Sequence, residues 1–572
     1  MRKIFFDSSF VLLCFLTLVH VSVLISFLTL SKISPLVFPA SLLIVMIAYL
    51  LIEKHHPCIK FQVIGLSLIV IIISLIASAF YFDLSWDGQW YHQSAIYHMK
   101  QDWNPIFDPI RTFEKRNSSS ICHFPKGSWF YAAAVYSTTG VFEMGKSINF
   151  ILIFVTLFLI GDTARSYSLS KIKSLFIALL VVLNPVVWSE TTTYLVDGLL
   201  YLYLSIYIVL LFRWFKQPDY KVLFILLMAI AGLVNVKFTG LVFFCVLAFA
   251  ATIYIFFYSR KYLVKSIAFH AVALLFSVLV MGYNPYVTNY TERGHPLYPI
   301  MGTEEYPSVF EQTGRDSNEK SETPHNMRGK NLFTRMFYAN FGRPDNAPYF
   351  KEKDAELIWP FTSGLSDWKA YFFHETRVSG FGPYFGGVLI LTFILLLFLW
   401  KKDKRTRWLI ILIISALLGS LMFSKHFWWP RFGPQMWLIP IIPVVFFFYS
   451  SVSKRSRLFA WLIAFLILLN GSIVLYAHMY WETSSSIKLR KQLTELSEKK
   501  VPIEINYGWF IKSMEEKLDY WQVNYEQVPR KEIKDQPHDK LVSVVEGYPN
   551  EVLFRKRNRS VSLQSTMSSA DK

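Results

Sequence analysis

The feature that most constrains this chain is a series of about thirteen apolar segments, each close to the length needed to cross a lipid bilayer as a helix. Hydrophobic residues make up 53% of the 572 residues and charged residues only 17%, against about 25% charged residues in soluble proteins. This composition excludes a water-soluble enzyme and a disordered chain. The sequence therefore predicts an α-helical polytopic membrane protein. The predicted spans are 8–31, 37–53, 61–81, 146–162, 173–190, 196–214, 221–237, 240–258, 266–284, 385–400, 407–423, 434–451 and 457–477.

The charge of the connecting loops alternates along the chain. One set of loops carries most of the nearby Lys and Arg residues, and the short loops between them carry Lys32, Lys237, Lys425 and Arg431. The positive-inside rule then places the N-terminus in the cytoplasm and the C-terminus outside, in a cell or inner membrane. The net charge of +18 reflects these loops, so no nucleic-acid partner is expected. The four cysteines show no paired spacing, and neither a disulfide framework nor a zinc site is indicated.

The span pattern divides the chain into seven regions. The segment 128–144 is ambiguous and is expected to be a re-entrant or interfacial helix. The C-terminal piece combines a helix-like run (486–500) with strand-like stretches (540–547 and 551–556), which predicts a small α/β domain. The regions are N-terminal transmembrane helices (1–81), a first external loop (82–145), a transmembrane core (146–284), a large external loop (285–384), C-terminal transmembrane helices (385–477), the external α/β domain (478–557) and a disordered tail (558–572).

Ionisable residues are costly at membrane depth, so each one near a span is a candidate functional residue. Asp83 and Asp87 leave the third span four residues apart, beside the aromatic residues Trp86 and Tyr91. Two carboxylates at this spacing share one face if the segment is helical. A partly desolvated carboxylate suits general-base chemistry. The alternative is a helix cap in a solvated turn, flanked by tryptophans of the interfacial belt.

Three further candidates lie at outer span ends. Asp197 opens the span 196–214, where the alternative is an acid that interacts favourably with the helix dipole. Lys237 and Arg431 lie in short external turns, against the charge bias. Either cation suits a phosphate, and the alternatives are snorkelling for Lys237 and a lipid-headgroup anchor for Arg431. The secondary candidates are Asp83, Trp86, Tyr91, His92 and His426. The histidines rank lower because a single interfacial histidine is more often structural.

Four motifs, taken in order, make the chain resemble a GT-C glycosyltransferase, the polytopic superfamily that includes protein O-mannosyltransferases and lipid A aminoarabinose transferases. The external segment 289–299 (NYTERGHPLYP) adds to this resemblance. In this sequence the catalytic loop follows the third predicted span instead of the first, and Gly88 follows Asp87 where the family often has Glu. The motifs are FDLSWDGQWYHQ (82–93), TTTYLVDGLLYLY (191–203), GLVNVKFTG (232–240) and WWPRFGPQMWLIPIIP (428–443).

The resemblance implies an inverting transfer of a sugar from a polyprenyl-phosphate donor to an acceptor on the non-cytoplasmic side. Carried over residue by residue, Asp87 is the general base and Asp197 orients the acceptor or helps to bind a metal. Lys237 and Arg431 hold the donor phosphate. Asp83, Asp87 and Asp197 are the ligands expected if the enzyme uses Mg²⁺ or Mn²⁺, although no motif establishes a cofactor.

Other functions share part of this pattern. A transporter or flippase for a lipid-linked saccharide would also need the cations and aromatic residues, but it is expected to carry inverted repeats and charges near the midplane. An oligosaccharide polymerase or ligase would use a similar donor, and a non-catalytic scaffold would only display the external regions. Lipid A, a cell-wall polymer, a protein and another glycan all remain open as acceptors.

Overall fold

The computed structural model describes residues 2–113, 117–312, 323, 325–345, 355–398, 404–449, 453–499, 502–544 and 551–556. The predicted disordered tail, 558–572, lies outside these residues. The described part is mainly α-helical, with short 3₁₀ and π turns between the helices. The helices are Arg2–Leu28, Val37–Ile52, Pro57–Phe80, Gln93–Gln101, Ser118–His123, Gly127–Thr139, Ser147–Ser166, Lys171–Val182, Pro185–Glu190, Asp197–Lys216, Tyr220–Val236, Phe238–Tyr258, Leu263–Leu275, Thr288–Arg293, Val309–Gln312, Leu332–Phe341, Phe385–Leu397, Lys404–Leu421, Leu438–Tyr449, Lys454–Lys499, Ile511–Tyr520 and Arg530–Lys534.

Every predicted span overlaps at least one of these helices. Seven helical segments of the described residues are long and apolar enough to cross a membrane, so the chain is an integral membrane protein. Four shorter apolar helices accompany them: Val37–Ile52, Tyr220–Val236, Phe385–Leu397 and Pro434–Tyr449. The total of thirteen crossings stays a prediction. The seven long segments are Ile4–Leu28, Pro57–Phe80, Phe142–Ser166, Asp197–Lys216, Phe238–Tyr258, Arg260–Met281 and Lys454–Glu498.

Two predicted spans differ from the helices that the structure contains. The span predicted at 173–190 is broken, because the first helix ends at Val182 and a new one begins at Pro185. Proline cannot continue a helix, and the Asn184 side chain caps the new helix by accepting a hydrogen bond from the Val186 N–H at 2.9 Å. The span predicted at 457–477 is instead part of a single 46-residue helix, Lys454–Lys499, here called the terminal helix. The boundary predicted at residue 478 therefore falls inside this helix.

The helices differ strongly in how much of their surface the protein covers. In the most apolar window of Asp197–Lys216, 72% of the residues are buried, compared with 33% for Pro57–Phe80 and 22% for Arg260–Met281. The less buried helices carry large exposed apolar side chains such as Ile76 and Val272, as expected for helices that face lipid. Asp197–Lys216, here called the central helix, is thus enclosed by its neighbours, and Asp197 is its first residue.

The ambiguous segment 128–144 begins as the helix Gly127–Thr139. Residues 128–136 of this helix are all buried, because it packs against helices Arg2–Leu28 and Gln93–Gln101. It is followed by a 3₁₀ turn at Phe142–Lys146. Protein therefore encloses the first part of this segment, where the sequence predicted an interfacial or re-entrant helix.

The C-terminal region folds as a four-stranded sheet with helices, as the α/β prediction requires. The strand order is β2-β1-β4-β3, in which β1 and β2 are parallel and the other pairs are antiparallel. The predicted strand 540–547 is only in part a strand, and its residues 545–547 lie outside the described part. The strands are β1 (Ile503–Asn506), β2 (Tyr525–Gln527), β3 (Asp539–Leu541) and β4 (Val552–Lys556).

The core of this domain includes residues of the first external loop. Phe82 and Leu84 are buried in the same apolar cluster as Ile505 and Phe510. The Gln89 side chain donates a hydrogen bond of 2.6 Å to the carbonyl of Ser543. The C-terminal domain therefore supports the segment that carries Asp87.

Gly240 permits a close approach between two membrane helices. A Cβ at this position would lie 1.9 Å from the Leu233 carbonyl oxygen, whereas a Cβ at Gly161 would meet nothing within 4 Å. We expect Gly240→Ala to lower the melting temperature of the purified protein, because overpacking costs about 1–3 kcal/mol. Gly161→Ala is the matched control and should be neutral or stabilising. Equal melting temperatures for the two variants, measured in detergent, would show that the close approach is absent.

Candidate active site

Arg431 is the centre of a buried cluster of charges. It lies in a 3₁₀ turn, Pro430–Phe432, and only 8% of its surface is exposed. Its Nε donates to Asp197 Oδ2, its Nη1 to Glu375 Oε2 and its Nη2 to Asp87 Oδ2, each at 2.7 Å. Hydrogen bonds between charged partners are about twice as strong as neutral ones. One guanidinium thus joins three segments that are far apart in the sequence.

Asp197 is held by a second cation. Its carboxylate is fully buried, and its Oδ1 accepts a hydrogen bond from the Lys237 ammonium. Lys237 connects helices Tyr220–Val236 and Phe238–Tyr258, and its Nζ lies 4.5 Å from the centre of the Phe432 ring. A buried carboxylate is stable only when it is paired and hydrogen-bonded. Both oxygens of Asp197 meet this condition.

The loop that precedes Asp197 is fixed by two polar side chains. Glu190 Oε2 accepts a hydrogen bond of 2.7 Å from the Gly198 N–H at the start of the central helix. The Asn149 side chain donates to three backbone carbonyls of the loop 190–193. These contacts hold the first residue of the central helix in place beside Arg431.

Asp83 does not pair with Asp87. Its carboxylate forms hydrogen bonds with Ser85 and Tyr194. Its Oδ1 accepts hydrogen bonds from the Ser85 N–H at 2.8 Å and the Ser85 hydroxyl at 2.6 Å, and its Oδ2 accepts from the Tyr194 N–H at 2.8 Å. It is fully buried. Asp83 therefore ties the turn before Asp87 to the loop before Asp197, while its predicted catalytic or metal role stays a prediction.

Asp87 is the most accessible acid that contacts Arg431, with 25% of its side chain exposed. Burial raises the pKa of the Asp87 carboxyl, and the neighbouring Arg431 opposes this shift. A carboxylate in this position is held by one cation and can still reach a molecule in solution. This combination is compatible with proton abstraction.

His92 is close to the cluster but is neutral. Its Nδ1 accepts a hydrogen bond of 2.7 Å from the Trp129 indole N–H, and Tyr91 stacks on its ring at 4.2 Å between centroids. Burial lowers the pKa of His92 to about 3, and the positive charge of Arg431 adds to this effect. A neutral imidazole at this place suits an acceptor or donor of hydrogen bonds better than an acid.

The two remaining secondary candidates pack against aromatic rings. Trp86 forms an edge contact with Phe510 of the C-terminal domain at 5.3 Å between centroids. His426 is half-buried and lies 5.5 Å from the ring of Phe432. The structure therefore brings together Asp87, Asp197, Lys237 and Arg431, and it places Trp86 at the interface with the C-terminal domain.

Sequence reasoning missed Glu375. This acid lies in the large external loop, where no span end marks it, and the only local signal is its position between His374 and two residues, Thr376 and Arg377, that are also polar. Beside Arg431 and Glu375 a cleft holds about 300 Å³ of empty space, including the part open to solvent. Glu375 therefore lines the cleft next to the charged cluster.

The predicted metal ligands do not form one group. Asp83 uses both oxygens within its own turn and towards Tyr194, and both oxygens of Asp197 are bound by cations. Among the described residues, the groups with three potential ligand atoms close together are Asp7–Glu53–His55 and His374–His478–Glu482. The need for Mg²⁺ or Mn²⁺ stays a prediction that these contacts do not support.

Solved structures that match this chain include one that covers most of its length. It is the crystal structure of ArnT from Cupriavidus metallidurans bound to undecaprenyl phosphate, with a TM-score of 0.40 and 10% sequence identity, covering 86% of this chain and 98% of that one. No family model and no curated protein matches the chain. A likeness this low carries no conclusion about function, which has to come from the contacts within this chain.

The glycine after Asp87 is required by the turn that holds this acid. A Cβ at Gly88 would lie 2.1 Å from Asp83 Oδ2 and 2.3 Å from the Ser85 hydroxyl oxygen. We expect Gly88→Ala to displace Asp87 and to lower the melting temperature. Gly140 is the poorer comparison because its φ of +68° favours glycine, so Gly419→Ala, with open space around the new Cβ, is the control. A Gly88→Ala protein as stable as the control would show that the turn tolerates a side chain.

Proposed function

We propose that the chain is a membrane glycosyltransferase that moves a sugar, with inversion, from a polyprenyl-phosphate donor to an acceptor on the non-cytoplasmic side. The observation that carries this proposal is the contact of Arg431 with Asp87, Asp197 and Glu375, with Lys237 on the far oxygen of Asp197. The cluster combines a partly exposed acid with two cations. Transfer from a sugar phosphate needs both.

The sidedness of the proposal depends on the distribution of charge. Asp87, Asp197, Lys237 and Arg431 lie at the span ends that the positive-inside rule assigns to the outside. At the opposite span ends, Arg213 pairs with Asp162, and Lys221 pairs with Asp7 at 2.7 Å. We therefore propose a cytoplasmic N-terminus and an external, or periplasmic, C-terminal domain.

The acceptor side of the reaction would use Asp87. A hydroxyl oxygen of the acceptor attacks the anomeric carbon, and its proton passes to the Asp87 carboxylate. The bond between the anomeric carbon and the phosphate oxygen breaks, and its electron pair leaves with the polyprenyl phosphate. Attack from the face opposite the phosphate inverts the configuration. A positioned base contributes about 10²–10⁴-fold to such a reaction.

The donor side would use the cations. Arg431 directs one N–H of each of its three nitrogens to a carboxylate, and a guanidinium has five N–H groups in all. The remaining N–H groups and the Lys237 ammonium can stabilise negative charge as it develops on the leaving phosphate. The carboxylates fix the orientation of Arg431 before the donor binds, which reduces the cost of reorganisation during the reaction. No step requires a metal ion.

Asp87→Asn should abolish transfer, with at least a 100-fold loss of rate, while the melting temperature and donor binding are kept. The amide retains the shape of the side chain but cannot accept the proton. The control is Asp102→Asn, which removes an exposed acid of the same external loop. The measurement is transfer of a radiolabelled sugar by the purified protein in detergent. Normal transfer by Asp87→Asn would remove the base assignment, and lipid movement without any sugar transfer by the wild type would favour the transporter alternative.

Lys237→Ala and Arg431→Ala should weaken binding of the donor phosphate by about tenfold or more, which corresponds to about 1.4 kcal/mol. Lys425→Ala is the matched control, because Lys425 is an exposed external cation whose Nζ lies near Phe310. Binding of polyprenyl phosphate is measured by calorimetry or by quenching of Trp fluorescence, on variants whose melting curves show that they are folded. Unchanged affinity in both variants would reject the role of these cations in holding phosphate.

A further inference from the structure

A second polar cluster lies next to Arg431 and is not used by the proposed reaction. It consists of His374, His478 and Glu482, whose potential ligand atoms all lie within 4.8 Å of one another. All three residues are buried, with at most 6% of their surface exposed. His478 and Glu482 are four residues apart on the terminal helix and therefore share a face. His374 approaches them from the large external loop.

The hydrogen bonds define the proton positions on His478. Its Nδ1 lies 3.1 Å from the backbone carbonyl of Tyr371, and because a carbonyl only accepts, Nδ1 must carry the proton. In the neutral ring Nε2 is then unprotonated, with its lone pair exposed. This Nε2 has no hydrogen-bond partner among the described residues, and it lies 3.7 Å from Glu482 Oε1. Two acceptor atoms thus face each other in a buried site.

Such an arrangement is costly unless a shared proton or a metal cation lies between the two acceptors. The Lys146 ammonium does not meet this need, because it is bound to Glu143 at 2.5 Å and to the Tyr81 carbonyl at 2.6 Å. His374 Nε2 is hydrogen-bonded to the same oxygen, Glu482 Oε1. Three potential metal-ligand atoms, one from each of His374, His478 and Glu482, therefore lie close together.

We propose that His374, His478 and Glu482 bind one zinc ion. Two imidazole nitrogens and one carboxylate form a donor set that suits Zn²⁺ and leaves a fourth position for water or another ligand. The Nδ1–H of His478, bonded to a backbone carbonyl, matches the outer contact that orients metal-binding histidines. Binding would replace the hydrogen bond between His374 and Glu482, and the ring proton of His374 would move from Nε2 to Nδ1.

The other group of potential ligands, Asp7–Glu53–His55, differs in one respect. Lys221 already binds Asp7 at 2.7 Å and also pairs with Glu53. A cation of the protein thus occupies that group, whereas the acceptor atoms of His478 and Glu482 face each other directly.

Zinc at this place would connect the external loop to the terminal helix. His374 is followed directly by Glu375, which accepts a hydrogen bond from Arg431. His374, Glu375 and Arg431 line the same cleft. The ion would therefore position Glu375, and through it Arg431, without touching either side chain. The zinc site itself does not depend on the base assignment proposed for Asp87.

The first experiment uses the wild-type chain, purified in detergent and treated with a chelator. We expect it to take up one zinc ion per chain when ZnCl₂ is titrated against a fluorescent chelator, with a dissociation constant below about 1 μM, as confirmed by elemental analysis. With Co²⁺ in place of zinc, we expect the visible absorption bands of a four-coordinate site. A wild-type chain that binds no stoichiometric zinc would overturn the proposal, and no variant is needed to obtain that result.

The second experiment locates the ion. Glu482→Gln keeps the shape of the side chain. This variant and, separately, His478→Ala should each abolish zinc uptake and the rise in melting temperature that zinc causes in the wild type. His538→Ala, in the exposed part of the C-terminal domain, is the matched control and should keep both. His55→Ala tests the other group of ligands. Zinc binding that survives Glu482→Gln and is lost in His55→Ala would reject the site proposed here.

Discussion

The structure of the candidate site depends on one side chain, Arg431. Its planar guanidinium directs three N–H groups to three carboxylates, a geometry that the single ammonium of a lysine cannot reproduce. Asp197 is fully buried, and Asp87 and Glu375 are only partly exposed. Each would repel the others without a shared cation, and a buried charge that loses its partner is strongly destabilising. The same contact therefore holds the segments of Asp87, Asp197 and Glu375 together and fixes the geometry of the candidate site.

The membrane helices and four residues of the charged cluster around Arg431 could be predicted because their signals are local. Apolar length marks the spans, and Lys237 and Arg431 are conspicuous because they violate the charge bias of their loops. Asp87 and Asp197 lie at the ends of apolar runs. The break at Pro185 was missed because the surrounding residues are apolar, so that hydropathy alone joins two helices into one span. The full length of the terminal helix was missed because its second half is amphipathic. Hydropathy therefore ends the predicted span although the helix continues.

The remaining features of the site depend on contacts between distant residues. Nothing near Glu375 indicates that it reaches Arg431, 56 positions further along the chain. The contacts of Asp83 could not be predicted for a similar reason. Its spacing from Asp87 suggests a pair of acids, but the hydrogen bond to the Tyr194 N–H turns it towards the backbone. His374 meets His478 and Glu482 across more than 100 residues, and only the spacing of the last two could have been read from the sequence.

The terminal helix, Lys454–Lys499, has a mechanical consequence. At 1.5 Å per residue its 46 residues extend for about 69 Å, whereas the hydrocarbon layer of a bilayer is about 30 Å thick. The helix is therefore longer than the bilayer is thick. Its first part lies in the lipid, and its last part packs under the C-terminal sheet. His478 and Glu482 lie between these two parts of the helix. A change in bilayer thickness that tilts the part in the lipid would move the C-terminal sheet and the segment that carries Asp87 together.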